Sequence, residues 1–350
     1  MIGAGQAGLA AAHRLSTAGQ DFIALDAAPR PGGSWPRYYD SLTLFSPARF
    51  STLPGLAHSG NPERYLHRDE MVAYLGDYAH SLDADIRYGQ TVDTLDRDND
   101  GFTARGSGFT IEATHLIMAT GSFDSPYIPP LPRAHEFSGQ ILHSADYVSP
   151  HHFAGTQVAV VGAGNSAVQI ATELSAVADV TVCSRRPVHW QAQRLWGRDN
   201  NWWLSRSGLD TSKFFAQRLG AGVPVIDDGT YQRAFREGRV QWRPLFDRVD
   251  TAGVHHADGS VSTPDTIIFA TGYRPHLPLL TSILPHVEAT TPSHRNGVST
   301  VDPQLGFVGS ERQRSFSSAT VRGVGADALA TVRGLKLMEK PSARSRYYAH

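Results

Sequence analysis

The residues best suited to chemistry lie in two glycine-rich runs. Gly3-Ala4-Gly5-Gln6-Ala7-Gly8 opens the chain, and Gly162-Ala163-Gly164-Asn165-Ser166-Ala167 recurs in its middle. Between a strand and a helix, the first glycine of such a run permits a tight turn and the second lets the backbone approach a pyrophosphate. The third position, Gly8 or Ala167, lets the helix pack close. Phosphates then sit on the unpaired amides of the helix N-terminus. A charged residue stands 23 positions beyond each first glycine, Asp26 in one copy and Arg185 in the other. An acid there accepts hydrogen bonds from an unphosphorylated ribose, whereas the planar fork of arginine suits a 2′-phosphate. The first run is therefore expected to bind FAD. The second, with Arg185 and Arg186, is expected to take NADPH in preference to NADH. Two different dinucleotides on one chain imply hydride transfer to a flavin.

The elements that must position these residues are also duplicated. Helical patterns follow the runs at 9–15 and 168–174, and short apolar strands come next at Phe22-Ile23-Ala24-Leu25 and Val180-Thr181-Val182-Cys183. Farther on, Leu116-Ile117-Met118 leads into Ala119-Thr120-Gly121, and Ile267-Ile268-Phe269 leads into Ala270-Thr271-Gly272. Asp100-Gly101 and Asp258-Gly259 mark a hairpin ahead of each of these strands. The repeat predicts an α/β fold with two Rossmann-like dinucleotide-binding domains of the glutathione-reductase type. The first is discontinuous, with FAD on residues 1–150 plus 276–350 and NADPH on 156–275, joined by a link at 147–155. Val158-Ala159-Val160-Val161 supplies the strand before the second run, but only Met1-Ile2 precede Gly3. Most of a first strand is thus missing from the sequence, which reads as a truncation or a misplaced start.

Composition narrows the class. At 350 residues, 41% hydrophobic and 19% charged, the chain is globular rather than disordered, and its length suits two domains. A formal net charge of −1 lacks the basic footprint of a nucleic-acid binder. No apolar run reaches the roughly 18 residues needed to span a bilayer, and the opening glycines are not a signal peptide. The expectation is a cytoplasmic protein with no membrane partner. A single cysteine, Cys183, excludes a Cys-x-x-Cys redox pair.

Around these motifs the chain resembles the flavin-containing monooxygenases (class B flavoprotein monooxygenases). The resemblance takes in bacterial members, including the flavoproteins associated with arsenical resistance, which have a stretch comparable to Leu44-Phe45-Ser46-Pro47. The bridging fingerprint of that group matches Phe137, Gly139, His143 and Tyr147; Baeyer–Villiger enzymes carry Trp where Tyr147 stands. Gly32-Gly33-Ser34-Trp35 and Phe307-Val308-Gly309 also fit, so Gly33, Trp35 and Gly309 join Gly3, Gly5, Gly8, Asp26, Ala119, Thr120 and Gly121 as expected FAD contacts. Gly162, Gly164, Asn165, Ser166, Ala167, Arg185, Arg186, Ala270, Thr271 and Gly272 are the expected NADPH contacts. The resemblance implies that FAD, reduced by NADPH, combines with O2 to a C4a-(hydro)peroxide. Oxygen then passes to a small molecule with a soft nitrogen or sulfur, trivalent arsenic being a further candidate. The flavin carries this chemistry, and no catalytic side chain is assigned. Eukaryotic members place an asparagine against the flavin near the position where this chain has Phe45, within Ser41-Leu42-Thr43-Leu44-Phe45-Ser46-Pro47. The alternatives are a Baeyer–Villiger oxygenase, an NADPH oxidase or reductase without oxygen transfer, and a non-enzymatic nucleotide-binding protein. Homodimerisation is left open.

Other residues carry plainer readings. His143 is expected to be a structural histidine coupling the domains rather than a base. The pairs His151-His152 and His255-His256 lack a third spaced ligand, so no metal site is expected. Cys183 reads as a buried small hydrophobe. The irregular stretch 191–223 reads as a substrate-side lid or a packed excursion, with a lean to the lid. Ser317-Ser318 reads as the N-cap of the last helix, whose positive end would, by resemblance, face the flavin pyrimidine.

Overall fold

The computed structural model describes residues 1–212, 224–275, 277–284 and 292–338. Parts of two assignments made from sequence lie outside these: 213–223 of the irregular stretch, and 276, 285–291 and 339–350 of the returning FAD segment.

Helix α1 (Gln6–Thr17) leaves the first glycine run, burying Leu9, Ala10, Ala11 and Ala12 completely. Strand β1 (Ile23–Asp26) follows, then β2 (Thr43–Pro47) and β3 (Tyr65–His67), which pair antiparallel. Helix α2 (Arg68–Ser81) starts from a reciprocal cap in which Glu70 accepts the His67 amide. After β4 (Asp85–Tyr88), an antiparallel meander at 94–113 contains the hairpin anticipated at Asp100-Gly101, and β5 (Leu116–Met118) follows. The second unit runs through β6 (Gln140–His143), β7 (Gln157–Val161), helix α3 (Asn165–Leu174) and β8 (Asp179–Ser184). Helices α4 (Asn200–Ser207) and α5 (Thr230–Arg236), β9 (Val240–Pro244), a small antiparallel sheet at 248–262 and β10 (Thr266–Phe269) complete it. The chain then returns to the first unit as β11 (Leu305–Phe307) and helix α6 (Val321–Gly334).

Two sheets result, one all parallel and one mixed, in which short strands at 294–299 run antiparallel beside β11. In the second unit the order is β9-β8-β7-β10-β6, all parallel, and Val158, Val160, Val180, Val182, Ile267 and Ile268 are almost wholly buried. In the first unit β1 pairs with β4, and β5 pairs with the returning β11. Ile2 joins the two halves, bridging Leu25 on one side and Met118 on the other. The Ile2 amide donates to the Ile117 carbonyl, that of Gly3 donates to Leu25, and the Met1 carbonyl accepts the Leu25 amide.

Two expectations change. Residues 140–143, counted with the first domain, hydrogen-bond along β10 from Gln140↔Thr266 to His143↔Phe269 and so belong to the second sheet. Gly139 makes this possible: a Cβ there would lie 2.5 Å from the Asp265 carbonyl oxygen, so only glycine lets the strand enter beside β10. The last helix is capped by Thr320, whose hydroxyl accepts the Gly323 amide. Ser318 instead accepts the amides of Arg314 and Ser315 one turn earlier, so it tightens the approach to the helix and leaves its end to Thr320.

Candidate functional site

The two glycine turns are built on one geometry. A Cβ on Gly3 would lie 2.4 Å from the carbonyl oxygen of Ala119; one on Gly162 would lie 2.6 Å from that of Ala270. Each first glycine is therefore fixed by the Ala-Thr-Gly turn behind it, whose alanine amide in turn donates to the strand before the turn. The third positions differ for a visible reason. A Cβ on Gly8 would fall 1.9 Å from the Gly3 oxygen, whereas the Cβ of Ala167 clears the corresponding loop. Helices α1 and α3 begin at Gly5 and Gly164 without a side-chain cap, leaving their first-turn amides presented outward. Among the described residues, nothing lies within 4 Å of where a Cβ would stand on Gly164, Gly121 or Gly272. Both helix ends are uncapped, and at the second turn Gly164 is also open, so the residues present fit a pyrophosphate on the first-turn amides of each helix.

The loop after β1 closes over the first turn. Gly33 approaches Gly5 so nearly that a Cβ would lie 2.7 Å from the Gly5 Cα, and Gly309 meets Ala7 of α1 in the same way. Gln6, which sequence reasoning passed over, ties this region together. Its side-chain oxygen accepts the Trp35 indole N–H at 3.0 Å, and its amide donates to the Ala319 carbonyl at 2.7 Å. Asp26 ends β1 with its carboxylate accepting the Ala4 amide at 2.6 Å and the Ala28 amide at 2.8 Å. It organises the glycine loop itself, with lone pairs left to accept further hydrogen bonds.

At the second turn, Arg185 and Arg186 stand exposed just past β8, and neither forms an ion pair among the described residues. Asn165 accepts the Ile226 amide, and Thr271 donates to the Tyr127 carbonyl, so both brace the loop. Cys183 is buried on β8, where desolvation pushes its thiol up to about 12.

The fingerprint residues divide between two tasks. Phe137 and Gly139 pack the entry to β6, away from the glycine turns. His143 and Tyr147 lie where the units meet. His143 Nδ1 accepts the Ala145 amide, which leaves Nε2 to donate to the Gly272 carbonyl at 3.0 Å; burial holds the imidazole below its usual range. These bonds make it a brace within the second unit, between the end of β6 and the turn after β10. A row of ring contacts, Trp35–Tyr38–Phe123–Tyr273–His143, with centroids 4.6 to 5.6 Å apart, runs from one unit to the other. Phe45 is exposed on β2.

The irregular stretch is packed rather than free where it is described. Asp199 caps α4 and accepts the Tyr65 hydroxyl at 2.7 Å; Arg322 of α6 donates to Asn201, and the Ser317 amide donates to the Asp210 carbonyl. The excursion is thereby clasped to the first unit, which the lid reading did not anticipate. Among the described residues no cluster of His, Cys, Asp and Glu could hold a metal, and no helix is long and apolar enough to cross a membrane.

Two units, each with parallel strands leading to an uncapped glycine turn and meeting across one interface, define a two-dinucleotide oxidoreductase. The chain belongs to the pyridine nucleotide-disulphide oxidoreductase family, whose pattern matches residues 1–205. It is 31% identical over 334 residues to the uncharacterized oxidoreductase CzcO-like of Geobacillus kaustophilus, covering 94% of this chain and 95% of that one. It is 30% identical to the indole-3-pyruvate monooxygenase YUCCA1 of rice (Oryza sativa), across 79% of this chain and 77% of the relative. Among solved structures, the flavin-containing monooxygenase from Stenotrophomonas maltophilia superposes with a TM-score of 0.83 at 30% identity, covering 96% of each chain. These likenesses support the two Rossmann-like domains expected from the repeated motif.

Proposed function

We propose that this chain is an NADPH-dependent, FAD-containing monooxygenase that places one oxygen atom on a soft nucleophilic nitrogen or sulfur. The observation that carries this reading is the pair of uncapped glycine turns, with an acid closing the strand after one and exposed arginines, unpaired among the described residues, closing the strand after the other. Likeness over nearly the full chain to a flavin-containing monooxygenase supports it. Bound FAD would supply hydride acceptance from NADPH and activation of O2.

The chain's own residues have narrower roles. Gly3, Gly5, Gly8 and Gly33, with Ala119, Thr120, Gly121 and Gly309, shape the FAD cradle, and the α1 amides take its phosphates. Trp35 closes the loop through Gln6. Gly162, Gly164, Asn165, Ser166 and Ala167, with Ala270, Thr271 and Gly272, shape the NADPH cradle, and Arg185 and Arg186 hold the 2′-phosphate. Phe137 and Gly139 seat the connecting strand, while His143 and Tyr147 hold the hinge.

Disulfide chemistry, which the family's description includes, does not suit this chain: its one cysteine is buried with a raised thiol pKa. Tyr147, where Baeyer–Villiger enzymes carry Trp, favours nitrogen or sulfur over a ketone. The test is turnover under 18O2 with a thioether, a tertiary amine and a cyclic ketone. Labelled sulfoxide or N-oxide supports the reading. Oxygen appearing only as hydrogen peroxide with every acceptor removes it, and labelled lactone alone replaces it with the Baeyer–Villiger alternative.

A further inference from the structure

We propose that Glu173 is a positioning residue: it latches the NADPH unit to the FAD unit and thereby sets the alignment of hydride donor and acceptor. The inference rests on the two-dinucleotide reading given above. Helix α3 starts at the second glycine turn, so its direction fixes where a bound dinucleotide lies. Farther along it, Gln169 and Glu173 fall at i and i+4 and share the face turned to the other unit.

One oxygen of Glu173 accepts both the Ser41 hydroxyl at 2.7 Å and the Tyr147 hydroxyl at 2.8 Å. Gln169 accepts the Tyr39 hydroxyl at 2.7 Å and donates to the Thr43 carbonyl at 3.3 Å. Tyr39, Ser41 and Thr43 belong to the segment running into β2, while Tyr147 sits in the link between units. A single carboxylate oxygen therefore joins the helix carrying one cradle, the loop leading to the flavin side, and the hinge. The Tyr147 end is buried and packs against Tyr39 and Phe153, whereas the Ser41 end reaches solvent.

The lever is long enough to matter. Eight residues of helix separate Glu173 from Asn165, about 12 Å at 1.5 Å per residue. A tilt of about 10° at the latch shifts the glycine turn by about 2 Å. A misplacement of about 1 Å is enough to lower a rate about a hundredfold.

The test uses the full chain loaded with FAD and compares Glu173→Ala, Glu173→Gln and Ser41→Ala with the unmodified protein. Glutamine keeps an oxygen able to accept both hydroxyls. Expected for Glu173→Ala are flavin reduction about ten- to a hundredfold slower at saturating NADPH, a NADP+ dissociation constant within about threefold of the parent, and faster amide exchange at 39–43 and 144–150. Glu173→Gln restores all three towards parent values, and adding Ser41→Ala to Glu173→Ala slows reduction no further. Parent-like reduction in Glu173→Ala overturns the latch. So does a loss shared equally by NADP+ affinity and rate, or a failure of glutamine to rescue, since either marks a general folding role. If NADPH fails to reduce the flavin of the unmodified chain, the functional reading fails, and amide exchange alone then decides the latch: unchanged exchange in Glu173→Ala overturns it. Reduction without oxygen transfer leaves the latch standing.

Discussion

Arginine 185 offers the sharpest check on cofactor assignment. Arg185 is exposed past the end of β8 and forms no ion pair among the described residues, so Arg185→Ala removes little that the described fold uses. Stability should change by no more than about 0.5 kcal/mol. A hydrogen bond to a charged group is worth about 1.5–3 kcal/mol. Solvent screening at an exposed position reduces that to about 1–2 kcal/mol. At 1.4 kcal/mol per decade, kcat/KM for NADPH should fall about five- to thirtyfold. NADH lacks the phosphate, so its kcat/KM should stay within about twofold. Steady-state kinetics with both cofactors reads the difference directly, and Arg185→Ala/Arg186→Ala should widen it. Equal losses with NADPH and NADH would refute the placement of the phosphate.

Three further outcomes are expected. Gly8→Ala drives a methyl into the Gly3 carbonyl and should yield protein purified without flavin, at a cost of about 1–3 kcal/mol, whereas Ala167→Gly should cost about 1 kcal/mol and keep NADPH binding; flavin content and NADP+ titration check the pair. Burial holds His143, His58, His115 and His13 below the 6.5 of a free imidazole, so in that window the folded chain binds fewer protons than the unfolded one. Stability present above pH 6.5 is then lost as pH falls through it towards the lowered values; a Tm flat from pH 7 to 5 would contradict this. Arg322→Ala removes the donor to Asn201 and should loosen the excursion by about 2 kcal/mol, seen as new proteolytic cleavage near 199–212 at an unchanged flavin content.

The repeat in the sequence carried the fold because dinucleotide turns impose residue types that only a few backbones tolerate. Gly3 and Gly162 are dictated by a carbonyl behind them, so their spacing from Asp26 and Arg185 translated directly into paired strands and uncapped helices. Side chains that bridge units left no such trace. Gln6, Gln169 and Glu173 are ordinary helix residues, and their partners at Trp35, Tyr39 and Ser41 are distant in sequence. The boundary near residue 140 was equally hidden, since Ile141-Leu142 reads as strand whichever sheet receives it. The Ser317-Ser318 cap was misplaced because four hydroxyl residues precede α6 within six positions and only geometry selects Thr320.

Anaerobic mixing of the FAD-loaded chain with NADPH tests the central claim most directly. The account predicts that the visible absorbance of bound flavin bleaches in a single phase that saturates with NADPH and slows when the transferred hydrogen is deuterium. Absorbance left unchanged at saturating NADPH, or bleached only after free flavin is added, would contradict the proposal that this chain brings the two dinucleotides together.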